Sequence, residues 1–285
     1  MTNKLPITRI KIGIAKILYH VTKLILLKKD DHIKAKRKGI WYDLDLSEGI
    51  DLSIFLFGGF QKHVTQSKYH QIPGNAIILD VGGNSGTTAL QFAKIAPKGT
   101  IYSFEPTHYA IDKFKKNLAL NSNLAQRITL INSFVSEINT EVADIKAYSS
   151  WKLNSTQEYG KHPVHLGTPK STDKVGSVSL DQFCMDKQLK RVDFIKIDTD
   201  GHEYKVLKGA QSMIKKYQPQ IIFEVGEYVM KEKNIDFSFY TSYFEALDYQ
   251  LFDTKTKQPI HLHNCHDLIP QLGTTDIIAT PKTKN

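Results

Sequence analysis

Cysteine is scarce in this chain: 285 residues contain two, Cys184 and Cys265. That excludes a disulfide framework and leaves no paired spacing for a zinc site, so both read as reduced thiols. Long apolar runs are missing as well. Residues 5–29 come nearest, but Arg9, Lys11, Lys16 and Lys23 interrupt them, which is too much charge to span a bilayer. No small-residue cleavage pattern accompanies them, which argues against a signal peptide. There are no internal repeats. Net charge is absent from most of the chain, although 38 basic against 29 acidic residues give +9 overall. Residues 1–40 hold 11 Lys/Arg against Asp30 and Asp31, which is +9 by itself, leaving 27 of each sign elsewhere. A body without basic excess argues against nucleic acid as a partner. Ordinary apolar content, 41%, is enough for a substantial core.

The best organised stretch also lacks something: a G-x-G-x-x-G dinucleotide turn. Residues 77–106 read IILDVGGNSGTTALQFAKIAPKGTIYSFEP. An apolar run ends in Asp80, a turn VGGNSG follows, then a helix-like TTALQFAKIA and a second apolar run ended by Glu105. This predicts strand, turn, helix and strand, with a carboxylate at the tip of each strand. Gly82, Gly83 and Gly86 would let a ligand approach the backbone, and the helix start would offer it free N–H groups. Glu105, 25 residues after Asp80, is placed to accept hydrogen bonds from a ribose diol. The pattern that is present, Asp80-x-Gly82-x-x-x-Gly86, resembles motif I of the class I S-adenosylmethionine (SAM)-dependent methyltransferases. The resemblance implies that Asp80 helps fix the turn and the amino-acid end of SAM. Gly82, Gly83, Asn84, Gly86, Thr87, Glu105 and Pro106 would then surround the cofactor.

Along the chain, Ile7, Ile10, Ile14, Ile17, Val21 and Leu24 recur at helical spacing, so residues 5–29 read as a basic amphipathic helix. Two readings stand for it: packing on the body or on a second copy, and peripheral contact with an anionic membrane. Residues 31–40 read as a polar linker, and residues 40–60 as a short strand or hairpin followed by a helix near the site's mouth. Residues 106–120 form a helix with Ala110, Phe114 and Leu118 on one face. A third strand covers 128–133, and its end, Ser133 and Phe134, should lie near an adenine ring. Residues 136–179, with Tyr148, Trp151, Tyr159, His162 and His165, are too long for a plain loop and read as edge strands plus a flap over the substrate. VDFIKIDTDGHE (192–203) is a buried strand ending in ionisable groups, 204–217 a helix, and 219–225 a strand closing on Glu224. A helix near 237–247 precedes a terminal antiparallel pair at 249–254 and 275–280. Alternating strands and helices predict an α/β fold with a mainly parallel sheet. The domain reading is an extension and linker at 1–39, one domain at 40–281 and a disordered tail at 282–285. The chain is expected to be cytoplasmic.

With these segments placed, the chain resembles the FkbM family of SAM-dependent methyltransferases. The matching pieces are RKGIWYDLDLSEGIDLSIFLFGGF, LDVGGNSGTTALQFA, IYSFEP with FKKNLALN, and SLDQF, VDFIKIDTDGHEYKVLKGA and PQIIFEV, together residues 37–225. The block around FIKIDTDGHEYKVLKGA is the most specific, since family members carry a similar K-I-D-x-x-G-x-E-x-x-V-L-x-G. The resemblance implies a Rossmann-like, seven-stranded sheet in the order 3-2-1-4-5-7-6 with helices on both faces. It also implies methyl transfer to an oxygen, typically a hydroxyl of a sugar, glycan, glycoconjugate or secondary metabolite. Where the family often has Glu, this chain has Asp200, a shorter carboxylate.

Attack by a hydroxyl on a sulfonium methyl needs alignment and a base. Asp198, at the tip of the fourth sheet strand where cofactor and acceptor should meet, is read as a cofactor-binding residue and takes first place as base or base-orienting carboxylate. His202 is second, because an unperturbed imidazole suits proton uptake near neutral pH. Asp200 and Glu203 share the same tip, and Glu203 also reads as a helix N-terminal carboxylate favoured by the dipole. Asp198 and Glu224 end neighbouring strands and could together ligate Mg²⁺. His261, His263, Cys265, His266 and Asp267 read as loop residues rather than a zinc site. Two rival functions remain. Methylation of nitrogen is disfavoured because IDTDG stands where an N-P-P-Y-type tetrapeptide would be. A methyltransferase-like module binding a membrane or protein through its basic helix is disfavoured by the intact Asp80, Gly82, Gly86 and Glu105 set.

Overall fold

A computed structural model describes residues 7–27, 30–67, 69–142, 147–149, 152–154 and 168–282. The chain opens with helix α1 (Ile7–Leu26), then a hairpin of β1 (His32–Arg37) and β2 (Ile40–Asp45), and helices α2 (Gly49–Phe57) and α3 (Lys62–Thr65). The motif stretch folds as β3 (Ile77–Val81), α4 (Thr87–Ile95) and β4 (Thr100–Phe104), followed by α5 (His108–Ala119), α6 (Ser122–Ala125) and β5 (Ile128–Ile131). Short strands β6 (Phe134–Val135), β7 (Ala147–Ser149), β8 (Thr168–Lys170) and β9 (Ser177–Val178) lead to α7 (Leu180–Asp186). The second half holds β10 (Phe194–Ile197), α8 (Glu203–Lys208), α9 (Gln211–Tyr217), β11 (Gln220–Val225), α10 (Glu227–Glu232) and α11 (Phe237–Glu245). It closes with β12 (Tyr249–Asp253), α12 (Cys265–Leu268) and β13 (Thr275–Pro281).

The main sheet has the order β12-β13-β11-β10-β3-β4-β5. Numbering these seven strands by chain position and starting from β5 gives 3-2-1-4-5-7-6, the expected order. All neighbouring pairs are parallel except the two made by β13. Central strands such as IILDV and FIKI are covered on both faces, which is why they read as nearly unbroken apolar runs. Leu79, Val81, Ile195, Ile197, Ile221 and Phe223 pack towards α7, α8, α9 and α11. Ile78, Phe194 and Ile222 pack towards α4 and the N-terminal hairpin. Polar caps start the covering helices: Thr107 accepts from Ala110 N–H, Ser179 from Gln182 N–H and Asp236 from Ser238 N–H.

Two expectations change. Residues 31–40 are not a linker, because His32–Arg37 pairs with Ile40–Asp45 along its whole length. The lysines and arginine concealed an alternation in which Ala35 is buried and Lys34 and Lys36 are exposed. The boundary drawn at residue 39 therefore falls inside a hairpin. The single helix expected over 204–217 is two helices, broken at Gly209. A Cβ at Gly209 would collide with the Ser136 carbonyl oxygen, so the backbone approach there admits only glycine. Of the expected flap at 136–179, β7 and β8 pair antiparallel. Trp151, Tyr159, His162 and His165 lie outside the described residues, as do 283–285 of the expected tail.

The hairpin is stapled to the sheet domain by two amides, Asn117 of α5 and Asn121 at the start of α6. Buried Asn117 accepts from Asp43 N–H at 2.8 Å and donates to the Ser85 carbonyl at 2.9 Å. Asn121 accepts from Trp41 N–H at 2.9 Å and donates to the Trp41 carbonyl at 2.6 Å. Asn117→Ala strands both partners of the first staple, which costs about 1–3 kcal/mol. Urea denaturation checks it: a lower midpoint with unchanged slope is expected.

Candidate functional site

The loops after β3, β4, β5 and β10 open on one cleft of about 550 Å³ including its mouth. Small-molecule sites span roughly 300–1,000 Å³. Val81 and Gly82 form its floor beside Phe104, Glu105 and Pro106. Ser133, Phe134 and Val135 form one side, and Asp198, Thr199, Asp200 and His202 the other. Of the residues read as cofactor-binding, Gly82, Glu105, Pro106, Ser133, Phe134 and Asp198 line this cleft. Asp80, Gly83, Asn84, Gly86 and Thr87 do not line it.

Packing by itself requires these glycines. A Cβ at Gly82 would strike the Asp198 carbonyl, one at Gly83 the Ser103 hydroxyl, and one at Gly86 the Phe114 ring. Gly82 and Gly86 also hold φ of +80° and +82°. The turn thus lets β3, β4 and β10 close on one another. Glu105 braces it: Oε2 accepts from Asn84 N–H at 2.9 Å, while Oε1 accepts from Thr107 N–H at 2.8 Å and its hydroxyl at 2.6 Å.

Sequence reasoning missed the group that joins these pieces, Lys196. Register sets Ser103 beside Asp80 and Asp80 beside Lys196 across three strands. Lys196 is 3% exposed. Its ammonium donates to the Gly82 carbonyl at 2.7 Å and lies 3.6 Å from Asp80 Oδ1 and 3.5 Å from Asp198 Oδ2. Burial alone would depress this amine, but Asp198, Asp80 and Asp276 outweigh it and hold the pKa above its ordinary value. Asp80, fully buried, accepts from Ser103 at 2.7 Å and reaches the cleft only through Lys196. The available signal was a lone lysine in an otherwise apolar central strand, a position where charge is costly.

The tip of β10 separates into distinct jobs. Asp198 is half-buried and accepts from Gln61 Nε2 at 2.9 Å. Gln61 has φ +48° and starts α3; it too escaped the sequence reading. Two residues on, His63 pairs with Asp276 at 2.5 Å. Glu203 turns away from the cleft and braces the loop, accepting from Thr199 N–H at 2.8 Å and Gly201 N–H at 3.2 Å. It is therefore a positioning residue rather than a base. His202 does not offer the neutral-pH imidazole expected of it. Burial, then Lys233 and Lys205, push it down to about 4, so it is a weak, uncharged base. Asp200 adopts φ +50°. Surrounding protein desolvates its carboxyl, and Asp198 and Glu203 add to a rise to about 7, although its surface is accessible within the cleft.

With this geometry in place, residues 80–251 match the model of the methyltransferase FkbM domain. The chain belongs to the FkbM methyltransferase family. Among relatives, 2-O-methyltransferase NoeI of Sinorhizobium fredii is 26% identical over 153 residues, 49% of this chain and 59% of that protein. Methyltransferase sdnD of Sordaria araneosa is 24% identical over 195 residues, 58% of this chain and 75% of that one. The crystal structure of methyltransferase FkbM from Methylobacillus flagellatus aligns with TM-score 0.49 at 17% identity, over 76% of this chain and 47% of that one. The chain thus spans about three-fifths of NoeI and about half of the crystallised protein.

For an FkbM-family cleft the cofactor to be tested for fit is SAM, and the donors present suit it. Glu105 Oε2 takes one protein donor and has lone-pair capacity left for a ribose hydroxyl. Phe134 and Pro106 supply apolar faces in the cleft wall. The Mg²⁺ expectation fares differently. Among the described residues, no group of three or more His, Cys, Asp or Glu could hold a metal ion. Glu224 accepts from Thr274 at 2.6 Å, and burial with Asp198 and Asp276 pushes its carboxyl well above the carboxylate range. His261 and His263 stack on each other, and His266 faces Glu227 at 3.3 Å.

Lys196→Met leaves Asp80 buried without its countercharge and should destabilise the fold by about 3–5 kcal/mol. Adding Asp80→Asn should recover part of that loss. Chemical denaturation of the four-protein cycle measures the coupling, and purely additive losses would contradict the pairing.

Proposed function

We propose that this chain is a SAM-dependent O-methyltransferase acting on a hydroxyl of a sugar, glycan or secondary metabolite. The observation that carries the reading is the meeting, in one cleft, of a braced ribose-type acceptor, Glu105, with a second carboxylate, Asp198, held on the opposite wall. When bound, the cofactor supplies a sulfonium methyl group for in-line displacement by the acceptor's oxygen. Most of what the protein then contributes is alignment. Glu105 would accept from the ribose diol, and Phe134, Ser133 and Pro106 would flank the adenine. Lys196 fixes the Gly82 carbonyl and Asp198 together, so the floor and far wall keep their spacing.

A hydroxyl must lose its proton as it attacks, and Asp198 is placed to take it. Gln61 and Lys196 hold Asp198 Oδ2, which leaves Oδ1 for an acceptor. Asp200 shares the same cleft wall. The relative named as a 2-O-methyltransferase supports oxygen as the atom methylated. The IDTDG tip, with no amide-and-proline tetrapeptide, supports the same choice over nitrogen.

Incubation with SAM and a panel of glycans and small alcohols, read as release of S-adenosylhomocysteine, tests this. Asp198→Ala should lower kcat by about 100-fold or more. Glu105→Ala should raise the Kd for SAM by about tenfold. Methylation of amines in preference to hydroxyls would overturn the assignment.

A further inference from the structure

Among the described residues, helix α1 packs on the body through one sector. Ala15, Leu18, Tyr19 and Leu26 pack against Leu46, Leu52 and Leu153. Tyr19 and Lys23 both bind Asp31, each at 2.8 Å, and fix the helix in rotation. This docking leaves Ile14, Ile17, Val21, Leu24 and Ile25 between 47% and 74% exposed. At about 100° per residue those five fall in one continuous stripe, beside the docked sector. The sector on the stripe's other side carries Lys16 and His20, both exposed. Five large aliphatic side chains aligned in water are not the scattered exposure normal for a surface.

We infer that α1 docks the protein onto an anionic membrane surface, lying in the interface with this stripe in the acyl boundary. Charge selects the occupant. The whole +9 excess lies in residues 1–40, while the remainder is neutral. In sequence, Lys4, Arg9, Lys11, Lys28 and Lys29 bracket the stripe. Two copies meeting through α1 would bring these like charges together, whereas acidic headgroups would neutralise them. No helix among the described residues is long and apolar enough to cross a membrane. An interfacial helix with cations beside its apolar face has the required form. Tyr19, Lys23 and Asp31 fix the helix on the body, so binding would orient the whole domain against the surface.

The test is flotation of the full chain with phosphatidylcholine vesicles, with and without about one-third phosphatidylserine. Binding is expected only to the phosphatidylserine vesicles and should weaken as salt shortens the Debye length from about 10 Å towards 3 Å. Ile17→Ser/Leu24→Ser/Ile25→Ser, all on the exposed side, should reduce partitioning at least about tenfold with the thermal midpoint retained. Absence of binding to the acidic vesicles would overturn the inference, as would equal binding by the triple variant. A wild-type dimer that the same triple variant turns into a monomer would also overturn it, by showing a second copy on the stripe.

Discussion

A single buried positive charge orders the centre of this protein. Lys196 sits in the middle of the sheet, where an unpaired ammonium would be prohibitive, and three carboxylates make it tolerable. What it returns is position. It ties Asp80 in β3, the carbonyl of Gly82 in the turn and Asp198 at the end of β10 into one unit. The tight contact of Gly82 with the Asp198 backbone closes the same seam from the other side. The parts of this cleft wall share one charge.

Around that seam the polar groups divide between holding and acting. Glu105 and Glu203 each spend hydrogen bonds on neighbouring backbone, one bracing the glycine turn and the other the loop after β10. Asp198 is spent on one oxygen only. Asp200 takes a left-handed backbone that a short polar side chain tolerates, and Gly201 beside it has φ +96°. The loop therefore presents two carboxyls at the cleft while a third, Glu203, anchors it from below. The N-terminal hairpin, stapled through Asn117 and Asn121, carries α2 and α3 into place, so that Gln61 reaches Asp198. The segment from the hairpin to α3 is part of how the site is built.

Much of this was legible in the sequence. Alternating apolar strands and amphipathic helices specify the fold class, and Asp80, Gly82, Gly86 and Glu105 mark the turn over which the cleft opens. The meaning of the glycines was not legible. A sequence shows that a position has no Cβ, but only the packed structure shows that Phe114 or the Asp198 carbonyl would meet one. Lys196 was hidden because two of its partners, Asp80 and the Gly82 carbonyl, lie more than 100 residues away in sequence, and strand register alone sets them beside it. His202 misled for a related reason: its ordinary titration range was the starting point, and burial beside two lysines removes it from that range. The β1 strand was masked by its own cations, which face solvent and drown a weak two-residue alternation.

The central claim is that this cleft takes SAM with its ribose on Glu105. Calorimetric titration of the wild-type chain with SAM, and with NAD and ATP as controls, tests it most directly. The account predicts saturable SAM binding, with neither control bound. Well-folded protein that binds NAD or ATP in preference to SAM, or none of the three, would contradict it.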